Sequence, residues 1–204
     1  NRLVVRNLPD LSMLTHSGER STTPRAIYIG DLRASRGLNE MLEVAKLTSE
    51  WEFDFVGEVA PADRSYVEFW LRDNPQTSSR IRFHGKLAPQ TSWKLAEGAW
   101  VGLSLLQDTP AFIEAVPSKL YEYMSVGLAV ISTPLPRCVE LIESSQSGAI
   151  ASNPEEIAGL LHDWRENPEK LDRYRKQGET WAREHLDSER EYRVFAAEMA
   201  KLTR

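Results

Sequence analysis

The sequence predicts an α/β protein: a mostly parallel sheet with helices on both faces, followed by C-terminal helices. Short apolar runs alternate with amphipathic stretches at intervals of about 20–30 residues, the rhythm of strand, crossover helix and next strand. Three of those runs stop at a glycine, Gly30, Gly57 and Gly85. From Pro154 onward the apolar runs give way to charged, helical sequence.

Taken in order, residues 1–25 hold one apolar run, Leu3-Val4-Val5, then Asn7-Leu8-Pro9-Asp10 and a stretch rich in Ser and Thr. This reads as an incoming strand or linker and then a loop. The first firm strand, 26–29, is almost continuously apolar, as a strand covered on both faces should be. Gly37 opens a helix to about residue 47, with Leu38, Met41, Leu42 and Ala45 on one side. A strand at 53–56, a helix over 63–71 and a strand at 81–84 follow. Next come a short helix over 92–98, a strand at 100–105, a helix over 119–125, a strand at 128–131, a helix over 138–143 and a last strand at 148–150. Asn153-Pro154-Glu155-Glu156 then supplies a cap residue, a proline at the first helical position and early acids, and Asn167-Pro168-Glu169 repeats the signature. Tyr174, Trp181, Tyr192, Phe195 and Met199 have the spacing of a packing surface. The expected organisation is a linker over 1–25, an α/β domain over 26–151, and a helical segment over 152–204 packed on it.

The formal net charge of −5, with no block of Lys and Arg, gives no footprint for nucleic acid. One cysteine, Cys138, rules out an internal disulfide framework and a cysteine-rich zinc site. It reads as a small buried residue near a helix start rather than a reactive thiol. No apolar run approaches the ~18 residues of a membrane span. The N-terminus has no basic-then-apolar signal pattern, so a cytoplasmic location is expected. The chain starts in mid-pattern, which reads as a piece of a longer protein.

Chemistry concentrates in Glu114-Ala-Val-Pro117-Ser118-Lys119-Leu120-Tyr121-Glu122. Ser118 is expected to cap a helix whose first turn leaves backbone N–H groups unpaired. Those amides and the helix dipole favour an anion, above all a phosphate. Glu114 precedes the cap and Glu122 falls about one turn into the helix, where a carboxylate suits sugar or ribose hydroxyls. Solvated acids are the alternative reading, although Glu122 lies in otherwise apolar sequence and so needs partners.

The run from Pro117 to Ile131, with Glu114 and Glu122 forming an E-x7-E pattern, resembles the donor-binding segment of retaining, GT4-like glycosyltransferases of the GT-B fold. Tyr28-Ile29-Gly30 with Arg36-Gly37, Phe55-Val56-Gly57, Phe83-His84-Gly85, and Glu140 with Gly148 extend the match. Asn7-Leu8-Pro9-Asp10 resembles the crossing into that family's C-terminal domain. The resemblance implies a Rossmann-like, C-terminal half of a GT-B enzyme, with the acceptor-binding half absent. It implies that Glu114 contacts the transferred sugar, Glu122 the ribose, and the amides around Ser118, Lys119 and Leu120 the diphosphate. Arg36 would neutralise the leaving diphosphate, while Gly30 and Gly57 let backbone approach the donor. The family often has arginine after the first glycine, where this chain has Asp31, and Arg33 is the nearest replacement.

The implied partners are a nucleotide sugar and, through the missing half, an acceptor sugar or lipid-linked glycan, with peripheral membrane contact in the full-length protein. No metal is expected, since there is no DxD and no His and acid spacing of a metal site, and no cofactor beyond the nucleotide-sugar substrate. His84 and Lys86 stand at a strand end, with donor or acceptor contact and a structural role both open; His16, His162 and His185 read as surface residues. A non-catalytic nucleotide- or sugar-binding module stays in contention, favoured by Asp31. A dinucleotide oxidoreductase does not fit, because Gly30 to Gly37 lacks the close Gly-x-Gly-x-x-Gly arrangement.

Overall fold

The computed structural model describes residues 19–187, together with Leu8, Leu14 and residues 192–193, 195–197 and 199–200. The expected run Leu3 to Val5, His16 and all of the crossover motif except Leu8 lie outside the described residues.

Among the described residues, six strands form one parallel sheet: β1 (Arg25–Ile29), β2 (Glu52–Val56), β3 (Ile81–Gly85), β4 (Val101–Ser104), β5 (Ala129–Ser132) and β6 (Gly148–Ile150). Their order is β3-β2-β1-β4-β5-β6. The chain therefore builds outward from β1 on one side, crosses back at β4 and builds outward on the other. In open α/β sheets, the point where the order reverses is where ligands bind.

Helices cover both faces because the inner strands carry apolar residues toward both sides and must be buried twice over. Ala26, Tyr28, Phe53, Phe55, Val101 and Leu103 point to one face. There they meet α1 (Leu38–Leu47), α2 (Arg64–Asp73) and α7 (Pro154–Glu166). Ile27, Val56 and Val130 point to the other, against α4 (Pro89–Leu95), α5 (Ser118–Ser125), α6 (Pro136–Ser145) and α8 (Pro168–His185). A one-turn helix, α3 (Pro75–Ser78), leads into β3. Arg80 locks that entrance by donating from its guanidinium to the carbonyls of Ala45, Thr48 and Trp51 at 2.7–2.8 Å, which also satisfies the C-terminal end of α1.

Several helix boundaries differ from the sequence reading, and at three helix starts a proline is the cause. α4 starts at Pro89, three residues before the expected Ser92, because Pro89 takes the first helical position and pre-sets its φ. α6 likewise starts at Pro136 rather than Cys138. In α5, Ser118 is the first helical residue and not the cap. Pro117 occupies the cap position, with no side-chain hydrogen bond.

The expected capping device at α7 is present. Asn153 Oδ1 accepts from the Glu156 amide at 2.8 Å while Glu156 Oε2 accepts from the Ser152 amide at 2.7 Å. Asn153→Ala should cost about 1 kcal/mol, read as a shift of the urea midpoint at unchanged slope. An unchanged midpoint would show that α7 is held by Ile157, Leu161 and Trp164 alone.

One β2 residue breaks the apolar rule. The Asp54 side chain is only 2% exposed, yet three nitrogen groups stand against its oxygens: the His84 ring through Nε2 at 2.7 Å, and the guanidinium groups of Arg25 and Arg82 through Nη1 at 3.3 Å and 3.7 Å. A buried carboxylate needs such company. His84 is thereby engaged by the sheet face rather than left free at the strand end.

Candidate functional site

At the carboxyl edge of the sheet, β1 and β4 pair at Ala26↔Val101 and Ile27↔Gly102 and part beyond. An aromatic ring stands where they part. Tyr123 of α5 packs directly over Gly102, where an added Cβ would fall 2.4 Å from the ring. Its hydroxyl accepts the Ile29 amide at 2.9 Å, a donor with no strand opposite it. Burial raises the Tyr123 phenol well above its ordinary range, so the group stays neutral. The absence of a side chain at Gly102 thus lets α5 dock close beneath the end of β1.

Gly30 and Gly57 end β1 and β2 at φ 147° and 148°, a region that side chains disfavour. The two strand ends remain stitched through Gly30 N–H to the Val56 carbonyl at 2.8 Å and Leu32 N–H to the Glu58 carbonyl at 2.9 Å. A Cβ on Gly57 would lie 1.9 Å from the Gly30 carbonyl oxygen. Backbone, not side chain, forms the floor of this edge.

The first turn of α5 opens onto that floor. The Leu120 amide donates to the Pro117 carbonyl at 3.0 Å, so it is already spent, whereas the Ser118 and Lys119 amides have no such partner. The Lys119 side chain is buried, 6% exposed, with Nζ 3.7 Å from the centroid of the Tyr28 ring. A Cβ on Gly30 would approach that Nζ to 2.9 Å. Lys119 Nζ has no hydrogen-bond partner, and neither does the buried Nε of Arg36. Burial, with the Arg36 charge nearby, pulls the Lys119 ammonium down to about 7, against the smaller opposing influence of Glu122 and Asp31. Burial pushes the Tyr28 phenol up to about 12, while Arg36 beside it acts in the other direction.

Arg36 ends a short 3-10 turn, Ala34–Arg36, and its guanidinium faces the Phe112 ring at 6.0 Å. The loop after β4 is tied to the same turn by the Gln107 amide, which donates to the Ser35 carbonyl at 3.0 Å. Arg36, Lys119, Gly30 and the open amides of α5 therefore share one corner. Arg33 does not join them as a free cation, since its guanidinium pairs with Asp31 at 3.3 Å on the surface. The two acids differ sharply. Glu122 is half-buried, and burial raises its carboxyl above the ordinary range, with Lys119 and Ser118 opposing. The Glu114 side chain is 73% exposed and stands 3.4 Å from Arg137 Nε.

Sequence reasoning missed several residues here. Buried polar atoms with no hydrogen-bond partner recur around the edge: Asn39 Oδ1 and Glu40 Oε2 in the first turn of α1, Ser104 Oγ at the end of β4, and Thr109 Oγ1 in the following loop. A signal for Asn39 and Glu40 existed, because they follow Gly37 and so stand where α1 leaves the edge. A cavity of about 270 Å³ lies there between Glu40, Gln107, Asp108, Thr133 and Asn153. Among the described residues, no group of three or more His, Cys, Asp or Glu side chains is placed to hold a metal ion, and no helix is long and apolar enough to cross a membrane.

A family model described as "Glycosyl transferases group 1" matches residues 14–181. No curated protein matches the chain. Among solved structures, sucrose-phosphate synthase (tll1590) from Thermosynechococcus elongatus superposes with a TM-score of 0.81 at 14% identity, over 96% of this chain and 51% of that one. Anabaena Alr3699/HepE, in complex with UDP-glucose, gives 0.79 at 16% identity, over 98% and 57% respectively. The C-terminal domain of the group 1 protein LpcC from Francisella tularensis gives 0.72 at 17% identity, over 87% of this chain and 97% of that domain. The chain spans about half the length of the first two. Its fold matches the C-terminal half of the two-domain GT-B architecture.

Proposed function

The chain belongs to the glycosyl transferases group 1 family, and from that premise we propose that it is the donor-binding half of an enzyme transferring sugar from a nucleoside-diphosphate sugar with retention of configuration. The observation that carries the reading is the corner at the end of β1. Two open amides of α5, the buried ammonium of Lys119 and the guanidinium of Arg36 converge on a floor of glycine backbone. Such a corner suits a diphosphate, and it suits one that gains charge as the sugar leaves.

Within that reading Arg36 stabilises the departing diphosphate, and the cations and amides do without a metal ion. Glu122, half-buried and one turn from the open amides, takes the ribose hydroxyls. Glu114, exposed and reaching out beside Arg137, takes hydroxyls of the transferred sugar. Gly30 and Gly57 let the donor lie against backbone. HepE was solved with UDP-glucose, which supports uridine as the first base to test. The acceptor, a sugar or lipid-linked glycan, and any contact with a membrane surface belong to the other half of the GT-B architecture. A non-catalytic nucleotide- or sugar-binding module is the second reading, and Asp31 favours it, because an acid at the diphosphate edge weakens the pull on a leaving anion.

Calorimetry on this chain should show UDP and UDP-glucose binding weakly and more tightly than GDP. Glu122→Ala should lower UDP affinity at least about tenfold, the loss of roughly one charge-assisted hydrogen bond. Absence of binding to either nucleotide sinks the donor reading. Sugar transfer by the complete enzyme, lost in Glu114→Ala, sinks the non-catalytic one.

A further inference from the structure

A nucleotide sugar brings two negative charges in its diphosphate, and Arg36 alone does not balance them. Arg33, the nearest further cation in the sequence, is taken up by its pairing with Asp31 at 3.3 Å on the surface. A second cation has to come from elsewhere.

The structure holds one in an unusual state. Lys119 is the second residue of α5, so its Nζ and its own open amide belong to one turn of helix. Lysine is rarely buried without a counter-charge. Here Nζ is enclosed between the Tyr28 ring and Gly30, with no hydrogen-bond partner. Four groups face it. Tyr28, from β1, is a neutral phenol; Arg36, from the 3-10 turn, repels it; Asp31, beyond β1, and Glu122, on α5, attract it. None of the four provides a hydrogen bond to the ammonium, and burial outweighs both acids, so the proton is loosely held, with the group lowered to about 7.

A dianion on the Ser118 and Lys119 amides changes the sign of the field at Nζ. Resting on the donor reading above, we propose that Lys119 supplies the second positive charge on the diphosphate and takes a proton from solvent as the nucleotide sugar binds. The exchange balances simply: the amine of Lys119 gains one proton from the buffer and becomes an ammonium beside the incoming anion. Arg33, held by Asp31, is thereby replaced from the other side of the corner, by a charge that above neutral pH is secured only when the donor is bound.

The test is titration calorimetry of this chain with UDP-glucose, in pairs of buffers with different heats of ionisation. UDP-glucose is the probe because its doubly esterified diphosphate has no proton to exchange near neutrality, whereas UDP has. At about pH 8, where the free amine dominates, the buffer dependence should report uptake of close to one proton per donor, falling toward zero at about pH 6. Glu122 cannot imitate this, since a carboxyl drawn into hydrogen bonds with hydroxyls loses its proton and gives the opposite sign. Lys119→Met should abolish the uptake at pH 8 and weaken binding roughly tenfold at pH 6, where the wild-type group is charged. Binding of UDP-glucose without buffer dependence at pH 8 overturns the proposal and leaves the donor reading standing. Uptake that persists in Lys119→Met assigns the proton to another group and also overturns it. No binding at all defeats both. The wild-type comparison at the two pH values decides the matter even where the methionine variant fails to fold.

Discussion

Gly57→Ala should lower the melting temperature of the chain by roughly 10 °C. Two costs add. A residue with a side chain at φ 148° is held in a region that glycine alone visits freely, a strain of about 1–3 kcal/mol. The new Cβ would also stand 1.9 Å from the Gly30 carbonyl oxygen, and such overpacking costs about 1–3 kcal/mol more. In a chain of this length each kcal/mol is worth roughly 2–4 °C. The strand ends cannot separate without breaking the bonds from Gly30 to Val56 and from Leu32 to Glu58. Gly85 is the internal comparison: its φ is 67°, but an added Cβ meets nothing within 4 Å. Gly85→Ala should therefore show the conformational cost alone, about 1–2 kcal/mol. Equal melting temperatures for the two variants would mean that the contact with Gly30 relaxes freely and that the floor of the site is softer than described.

The second large effect falls on the reaction. In the complete enzyme, Arg36→Ala should lower the rate of sugar transfer by roughly 10²–10³-fold, the usual effect of deleting one preorganised group that stabilises developing negative charge. The fall should appear in kcat more than in KM, because charge on the diphosphate grows as the sugar departs. Arg36→Lys keeps the charge but not the planar fork and should recover only part of the rate. The variant has a further effect within the corner. Arg36 is the cation that repels Lys119, so its removal lets Lys119 hold its proton more firmly, and changes at the two positions should not add. A kcat unchanged in Arg36→Ala would remove this residue from the reaction and return weight to the non-catalytic reading.

What the sequence revealed and what it concealed divide along physical lines. The strand at 26–29 was legible because burial on both faces demands a continuous apolar run, and its end was legible because only glycine turns there so readily. The start of α7 was legible in Asn153, Pro154 and Glu156, each of which acts on backbone groups a few residues away. Local chemistry leaves local marks. Lys119 was not legible: its sequence neighbours place it at a helix start, but its burial comes from Tyr28 and Gly30, some ninety residues earlier in the chain. Asp54 hid in the same way, since the apolar residues around it say nothing of Arg25, Arg82 and His84 brought in by neighbouring strands. Ser118 misled for a different reason. Serine before a helical run is the usual cap, but Pro117 already supplied the extended conformation that the cap position requires. Arg33, offered as a replacement cation by the family resemblance, is set against Asp31 by a turn whose path the sequence does not disclose.

The ring of Tyr123, seated over Gly102 and bonded to the Ile29 amide, has a thermodynamic consequence. A crevice that opened only when a ligand arrived would spend part of the binding free energy on parting β1 from β4 and on desolvating the amide thus exposed. Here the wedge is built in and that amide is already satisfied, so the strands stand apart before anything enters. Recognition at this edge becomes a matter of filling a crevice that already stands open, its ordering entropy met when the chain folded.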